Sequence, residues 1–270
     1  MIDGSLTNAE YHASPGISKS GLDLIAKSPA HYFARYLDPQ RPPAPEATHA
    51  QLAGTLAHCA ILEPAEFSRR YAIGPDTTRA AKAWKEFEAS LPAGMIAIKA
   101  EDHARAFAQA ESLRRLPDIA EALSRGAPEV SVFWRDAETG VLCKCRPDWS
   151  HDCGDAGVVL VDVKTCGSAS PSEFVREAAR HRYHVQAAWY SDGFTEATGR
   201  DVLGFLLAAV ESEYPFAAAP IMLDAESIDQ GRREYRRNLD TYAACVASGE
   251  WPGYGAGVHL VTLPKWAFTE

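Results

Sequence analysis

The chain has no apolar run long enough to cross a bilayer, and its opening stretch, Met1–Tyr11, lacks the basic start and apolar centre of a secretory leader. A membrane-spanning protein is therefore not expected, and the expected compartment is the cytoplasm. Paired C-x-x-C motifs are missing as well. Cys59, Cys143, Cys145, Cys153, Cys166 and Cys245 stand at spacings that match neither zinc nor iron–sulfur ligand runs, and a reducing compartment keeps thiols out of disulfides. A metal cluster of Cys143, Cys145, Cys153 and Cys166 is conceivable, but small buried thiols explain these residues better. No segment repeats. Nor is there an excess of positive charge: the formal net charge is -9, which argues against a protein that coats nucleic acid through a uniformly basic surface.

What is present describes an ordinary globular protein. A chain of 270 residues with 46% hydrophobic and 23% charged residues buries a real core and gives no compositional sign of disorder. One domain is expected over 1–270, with a helical segment and linker over 1–50, a catalytic core over 51–250 and a tail over 251–270. An acidic total is compatible with chemistry on DNA, because metal sites gather carboxylates that a bound divalent cation neutralises. Basic residues are grouped locally at Arg176, Arg180 and Arg182 and at Arg232, Arg233, Arg236 and Arg237, where a solvated helix face competes with a binding role.

Ser18 and the Ser28-Pro29 pair each predict a short helix, since serine caps orphan amides and proline suits a first turn. Pro39–Pro45 reads as a connector. Apolar spacing predicts helices over Gln51–Leu62, Thr78–Ser90 and Ala100–Arg125, the last kinked or divided at Pro117. Then the period changes to two. Val130, Val132 and Trp134 alternate, Asp136–Gly140 supplies a turn and Val141–Trp149 answers as a second strand, so a hairpin is expected. Valine-rich Gly157–Lys164 predicts a strand covered on both faces. Helices over Ser170–Arg180 and Tyr183–Thr198, strands over Val202–Val210 and Phe216–Leu223, and a closing helix over Ala225–Ser248 follow. The fold class is α/β (α+β): a mixed central sheet flanked by helices, with a helical N-terminal part.

The chemistry is concentrated in Arg146-Pro147-Asp148-Trp149 and Val161-Asp162-Val163-Lys164-Thr165. Hydrolysing a phosphodiester at neutral pH needs charge neutralisation and an activated water, and magnesium on hard oxygen ligands supplies both. Along a strand, Asp162 and Lys164 project to one face, while Val163 turns its side chain to the core and leaves its carbonyl as a further ligand. The lysine ammonium then stands beside the attacking water. A D-x-K triplet alone is common as an exposed alternating pair, but a Pro-Asp at the end of the preceding strand brings a second carboxylate to the same edge. Glu129, at the start of the hairpin, is a further candidate carboxylate that a solvated strand end explains equally well. Glu63, ahead of Pro64, is similarly ambiguous, and Trp149 reads as packing.

These residues resemble the PD-(D/E)XK nuclease superfamily, with its restriction-endonuclease-like fold. A closer resemblance is to the exonuclease VIII (RecE) nuclease domain and its phage-encoded relatives. It is carried by Asn8–His12, Ile17–Ser20 and Ser28–Tyr32, by Gly54–Pro64 around His58, and by Gln186-Ala187-Ala188-Trp189-Tyr190, and it spans roughly the whole chain. A lone histidine on an apolar helix is more often a hydrogen-bonded core residue than a ligand; the resemblance implies that His58 joins Asp148, Asp162 and the Val163 carbonyl at the metal. Gln186 and Tyr190 share a helix face, from which they would hold a phosphate or steady Lys164.

The resemblance further implies a magnesium enzyme, with manganese able to substitute, that digests linear duplex DNA 5′ to 3′ and leaves 3′ single strands. A single-strand annealing protein of the RecT type would be the partner, and a homo-oligomer, a ring-shaped tetramer by likeness, the assembly. The competing readings are a structure-selective or single-strand endonuclease on the same fold, a DNA-binding recombination protein without turnover, and an unrelated metal hydrolase of small substrates.

Overall fold

A computed structural model of the chain describes residues 1–43 and 48–268. Of the expected connector, Pro39–Pro43 lies within them, while Ala44 and Pro45 fall outside, as do Thr269 and Glu270 of the tail. The chain opens with strand β1 (Ile2–Asp3) and helices α1 (Asn8–Ala13), α2 (Lys19–Lys27) and α3 (Pro29–Tyr32). Next come α4 (His49–Leu62), α5 (Phe67–Arg70), β2 (Tyr71–Ile73), α6 (Lys82–Ser90), β3 (Ile96–Ile98), α7 (Ala100–Arg114) and α8 (Pro117–Ala122). Five strands follow: β4 (Gly126–Pro128), β5 (Ser131–Arg135), β6 (Leu142–Cys145), β7 (Trp149–Asp152) and β8 (Val158–Cys166). The chain then forms α9 (Pro171–Arg180), α10 (Tyr183–Thr198), β9 (Val202–Glu211), β10 (Ala218–Met222) and α11 (Ala225–Ser248).

The central sheet has the order β10-β9-β8-β7-β4. Its β8/β9 pair is parallel and the others are antiparallel, so the sheet is mixed, as the alternation of strands and helices predicts. The two-residue period of the middle strands divides the core into two layers. Val158, Leu160, Phe205, Leu207 and Ala209 pack with α2, α10 and α11, whereas Val161, Val163, Leu206, Ala208 and Val210 pack with α4, α7 and α8. Coverage on both faces is why these strands are apolar nearly throughout. Asp162 and Lys164 interrupt that pattern on the α10 face of β8.

The hairpin forms, with Trp134 opposite Cys143, and β1 adds to its outer edge. The expected second strand, Val141–Trp149, is however two strands in two sheets. β6 pairs with β5, the chain breaks at Arg146–Asp148, and β7 joins the central sheet. Pro147 has no N–H to give a ladder, so pairing stops there. The preceding segment changes sheet in the same place, at Glu129 between β4 and β5. The two crossings are tied: Glu129 N–H donates to the Asp148 carbonyl at 3.0 Å, and Glu129 itself takes the left-handed conformation (φ 52°).

Pro117 divides its helix as expected, by starting α8 at the first turn. Two other expectations shift: the helix drawn from Thr78 begins at Lys82, and Ser28 gives no side-chain cap to α3, its hydroxyl pairing with His31 Nδ1 at 2.6 Å instead. The strands β1–β4 are too short to leave a periodic trace. Helix α1 is built on a capping box in which Thr7 and Glu10 exchange hydrogen bonds. Its far end is held by the buried Lys144, whose ammonium donates to the carbonyls of Tyr11 (2.8 Å) and Ser14 (2.6 Å). No helix among the described residues is long and apolar enough to cross a membrane.

Candidate active site

β7 begins only at Trp149, opposite Val161, so the rest of β8 keeps β9 on one side and has an open edge on the other. Asp148, the residue just before β7, fills that edge: its Oδ2 accepts the Val163 N–H at 2.7 Å, in place of a ladder partner. Because a strand residue points its N–H and C=O to the same side, the Val163 carbonyl faces the same opening. There it meets the imidazole of His58, from α4. His58 Nδ1 lies 3.4 Å from Asp148 Oδ2. Glu129 completes the group, and ligand atoms of His58, Glu129 and Asp148 all lie within 4.8 Å of one another.

Glu129, ambiguous in the sequence, thus stands with His58 and Asp148. Glu63 does not: its carboxylate is held by both terminal nitrogens of Arg70, at 2.7 and 2.8 Å. Sequence reasoning passed over Arg146 as no more than the neighbour of Pro147. Its Nε donates to Glu129 Oε2 at 2.7 Å, while Nη1 reaches the carbonyls of Leu6 (3.1 Å) and Thr7 (3.3 Å), so it orients the glutamate and ties down the N-terminal segment. A left-handed non-glycine residue is uncommon and costs on the order of 1 kcal/mol, and here Arg146 and the Asp148 carbonyl hold it.

Asp162 is almost fully buried. Extending the β7/β8 register by one residue sets it opposite Asp148. Its Oδ1 accepts from Gln186 Nε2, on α10, at 2.5 Å, and the Lys164 ammonium lies against Oδ2. Both oxygens of this buried carboxylate are therefore engaged, one by an amide and the other by an ammonium. Tyr190 is in the same layer but packs edge-on to Phe205, with ring centroids 6.0 Å apart. Among the described residues no hydrogen bond joins its hydroxyl to Asp162 or Lys164.

Charge follows from this crowding. Burial, then the neighbouring Asp162, pushes the Asp148 carboxyl well above the usual carboxylate range. Burial and the Lys164 charge lower His58 against the pull of Asp162, which keeps the imidazole neutral, the form with a lone pair to give. Burial would lower Lys164 too, but Asp162 and Asp148 outweigh it and hold the ammonium charged. The donor set suits a hard divalent cation: clustered carboxylate oxygens, one of them on an Asp148 that its surroundings push toward protonation, an imidazole and a carbonyl.

The other candidates lie elsewhere. The thiols are free and none belongs to the group that could hold a metal among the described residues. Arg232 is held by Asp192 and Asp229, Arg233 by Gln230 and Arg236 by Asp136, so these side chains of α11 are engaged within the molecule. Arg182 is engaged by Asp23 and Glu234, while Arg176 and Arg180 are exposed.

A split mixed sheet whose open central edge carries Pro-Asp and Asp-x-Lys is the architecture of the PD-(D/E)XK nucleases. The chain belongs to the family of PDDEXK-like domains of unknown function (DUF3799), whose model matches residues 18–263. Among solved structures it is similar to a protein from Eubacterium rectale that is provisionally described as an exonuclease. The two align over 96% of each chain with a TM-score of 0.62 at 15% identity, a likeness of fold. A second structure, SSO0001, covers 53% of this chain and 67% of its own at a TM-score of 0.32 and 15% identity, too loose to bear on the site. No curated protein matches the chain.

Proposed function

We propose that this chain is a magnesium-dependent exodeoxyribonuclease that shortens linear duplex DNA from its ends, 5′ to 3′, leaving 3′ single strands for an annealing protein of the RecT type. The observation that carries the reading is the convergence of His58, Glu129 and Asp148, within 4.8 Å of one another, beside the Asp162–Lys164 pair. His58, Asp148, Asp162 and the Val163 carbonyl would hold the cation, and Glu129 joins them as a further ligand. When bound, magnesium neutralises charge on the phosphate and acidifies a water; manganese would substitute.

The side chains do the rest. Lys164, kept charged by its two aspartate neighbours, stabilises the negative charge that develops on the phosphoryl oxygens, a contribution of several kcal/mol at a preorganised site. Gln186 fixes the Asp162 carboxylate through Oδ1, so that Oδ2, the oxygen against Lys164, is the one that would turn to the cation. His58, neutral, gives a nitrogen without adding charge. Tyr190 supports this layer by packing. Attack from DNA ends is supported by the resemblance to RecE-type enzymes and by the description of the Eubacterium rectale neighbour. Digestion polarity, the annealing partner and a ring-shaped homo-oligomer rest on the resemblance.

The test is to incubate the purified protein with end-labelled linear duplex and with covalently closed circular duplex. Linear DNA should be degraded with magnesium, arrested by chelation and restored by manganese, while the circle stays intact. Nicking of the circle would replace the exonuclease reading with an endonuclease one. No hydrolysis of either with either metal would leave a DNA-binding protein.

A further inference from the structure

Lys164 makes one contact that the cation site does not use. Its Nζ lies over the face of the Tyr183 ring, 4.5 Å from the centroid. Among the described residues the other partner of this ammonium is Asp162. A carboxylate that also serves a divalent cation holds an ammonium less firmly, so the ring is what would keep Lys164 in place at the moment of reaction.

The way Tyr183 is delivered supports such a role. It is the first residue of α10, and the residue before it, Arg182, takes the left-handed conformation (φ 57°, ψ 44°). Side chains with a Cβ avoid that region, and one held there needs surroundings that over-determine it. Three contacts do so. Arg182 Nε donates to Asp23 Oδ1 at 2.9 Å, its Nη1 lies 3.1 Å from Glu234 Oε2, and Lys19 Nζ donates to the His181 carbonyl at 2.9 Å. The ring is also supported by neighbouring aromatics: His181 stacks with it at 5.6 Å and 19°, and Phe174 packs at 5.9 Å. A turn pinned by α2 and α11 thus presents one aromatic face to one ammonium.

We propose that Tyr183 is a positioning residue for Lys164: its π face, aimed by the left-handed turn at Arg182, holds the ammonium toward the reacting phosphate. The inference rests on the nuclease reading and adds to it a residue outside the Asp162–Lys164 and Gln186–Tyr190 motifs. The attraction is electrostatic, between the cation and the negative face of the ring, and the hydroxyl plays no part in it.

The experiment replaces Tyr183 with phenylalanine and then with phenylalanines of increasing ring fluorination, which keep ring size nearly constant while removing the negative face. Three quantities are read: kcat and KM on linear duplex with magnesium, and the NMR shift of the Lys164 ε-methylene protons, which a ring beneath them moves upfield. Tyr183→Phe should keep kcat within about threefold, and kcat should then fall stepwise to roughly a tenth in the fully fluorinated protein, with KM unchanged within about twofold. Tyr183→Leu should abolish the upfield shift. A flat kcat across the series, a change in KM alone, or a Tyr183→Phe protein as impaired as the fully fluorinated one would overturn the proposal, provided Lys164→Ala is inactive. Full activity of Lys164→Ala would instead refute the assignment of the site, and a wild-type protein that cleaves no DNA would bring down the nuclease reading itself.

Discussion

Gln186 donates to Asp162 Oδ1 across 2.5 Å from the helix that covers this face of the sheet. That one bond joins the segment after β8 to the carboxylate within it, and fixes which oxygen of Asp162 meets Lys164. Removing the amide strands a buried oxygen. Gln186→Ala should therefore lower stability by about 1–3 kcal/mol, read from denaturant midpoints, and reduce cleavage as well. Gln186→Glu, which sets a second carboxylate against Asp162, should be worse on both measures. A Gln186→Ala protein with unchanged stability and activity would exclude this role.

Lys164→Ala and Asp162→Asn should leave the fold intact by circular dichroism and lower the rate on linear duplex by several kcal/mol of transition-state stabilisation. Either variant cleaving at the wild-type rate would refute the site.

Glu129 separates the structural reading of the site from the motif reading. Glu129→Gln retains size and a carbonyl toward Arg146, so folding should persist while magnesium affinity, measured by calorimetry on the DNA-free protein, falls at least tenfold, about 1.4 kcal/mol. Wild-type affinity in this variant would return Glu129 to a purely structural position at the sheet crossing.

Gly231 marks a close approach between α10 and α11, because a Cβ there would run into the backbone carbonyl of His184. Backbone gives way less readily than a side chain tip. Gly231→Ala should cost about 1–3 kcal/mol or more and, by displacing the start of α10, weaken cleavage too. The melting temperature and the rate should fall together; a loss of neither would mean that the helices shift freely.

Acid should weaken the junction between α11 and the hairpin turn. Burial raises the Asp136 carboxyl, but hydrogen bonds from Arg236 and Thr139 outweigh it and bring the pKa from 3.8 to about 2. A depressed folded value stabilises above pH 3.8 and loses that stabilisation as pH falls through about 2. The contribution at neutral pH is about 2 kcal/mol. The stability gap between wild type and Asp136→Asn should close between pH 4 and pH 2 by roughly that amount; a gap independent of pH would exclude it.

Much of this molecule was written in local pattern. The closing helix begins and ends at Ala225 and Ser248 as its spacing predicts, and the valine run of β8 and the apolar β9 announced strands buried on both faces, because periodicity and burial are properties of adjacent residues. Asp148, Asp162 and Lys164 were legible for the same reason: carboxylate and lysine at strand spacing, with a proline to end the strand before them. What a linear pattern could not hold was the pairing of distant crossings. Glu129 stands beside Asp148 because the chain changes sheet there, Arg146 spans from that glutamate to the N-terminal segment, and Tyr183 meets Lys164 because a left-handed turn is pinned by two helices far away in sequence. Short-range preference decides the elements; only the closure of contacts between remote segments decides which side chains share one hollow.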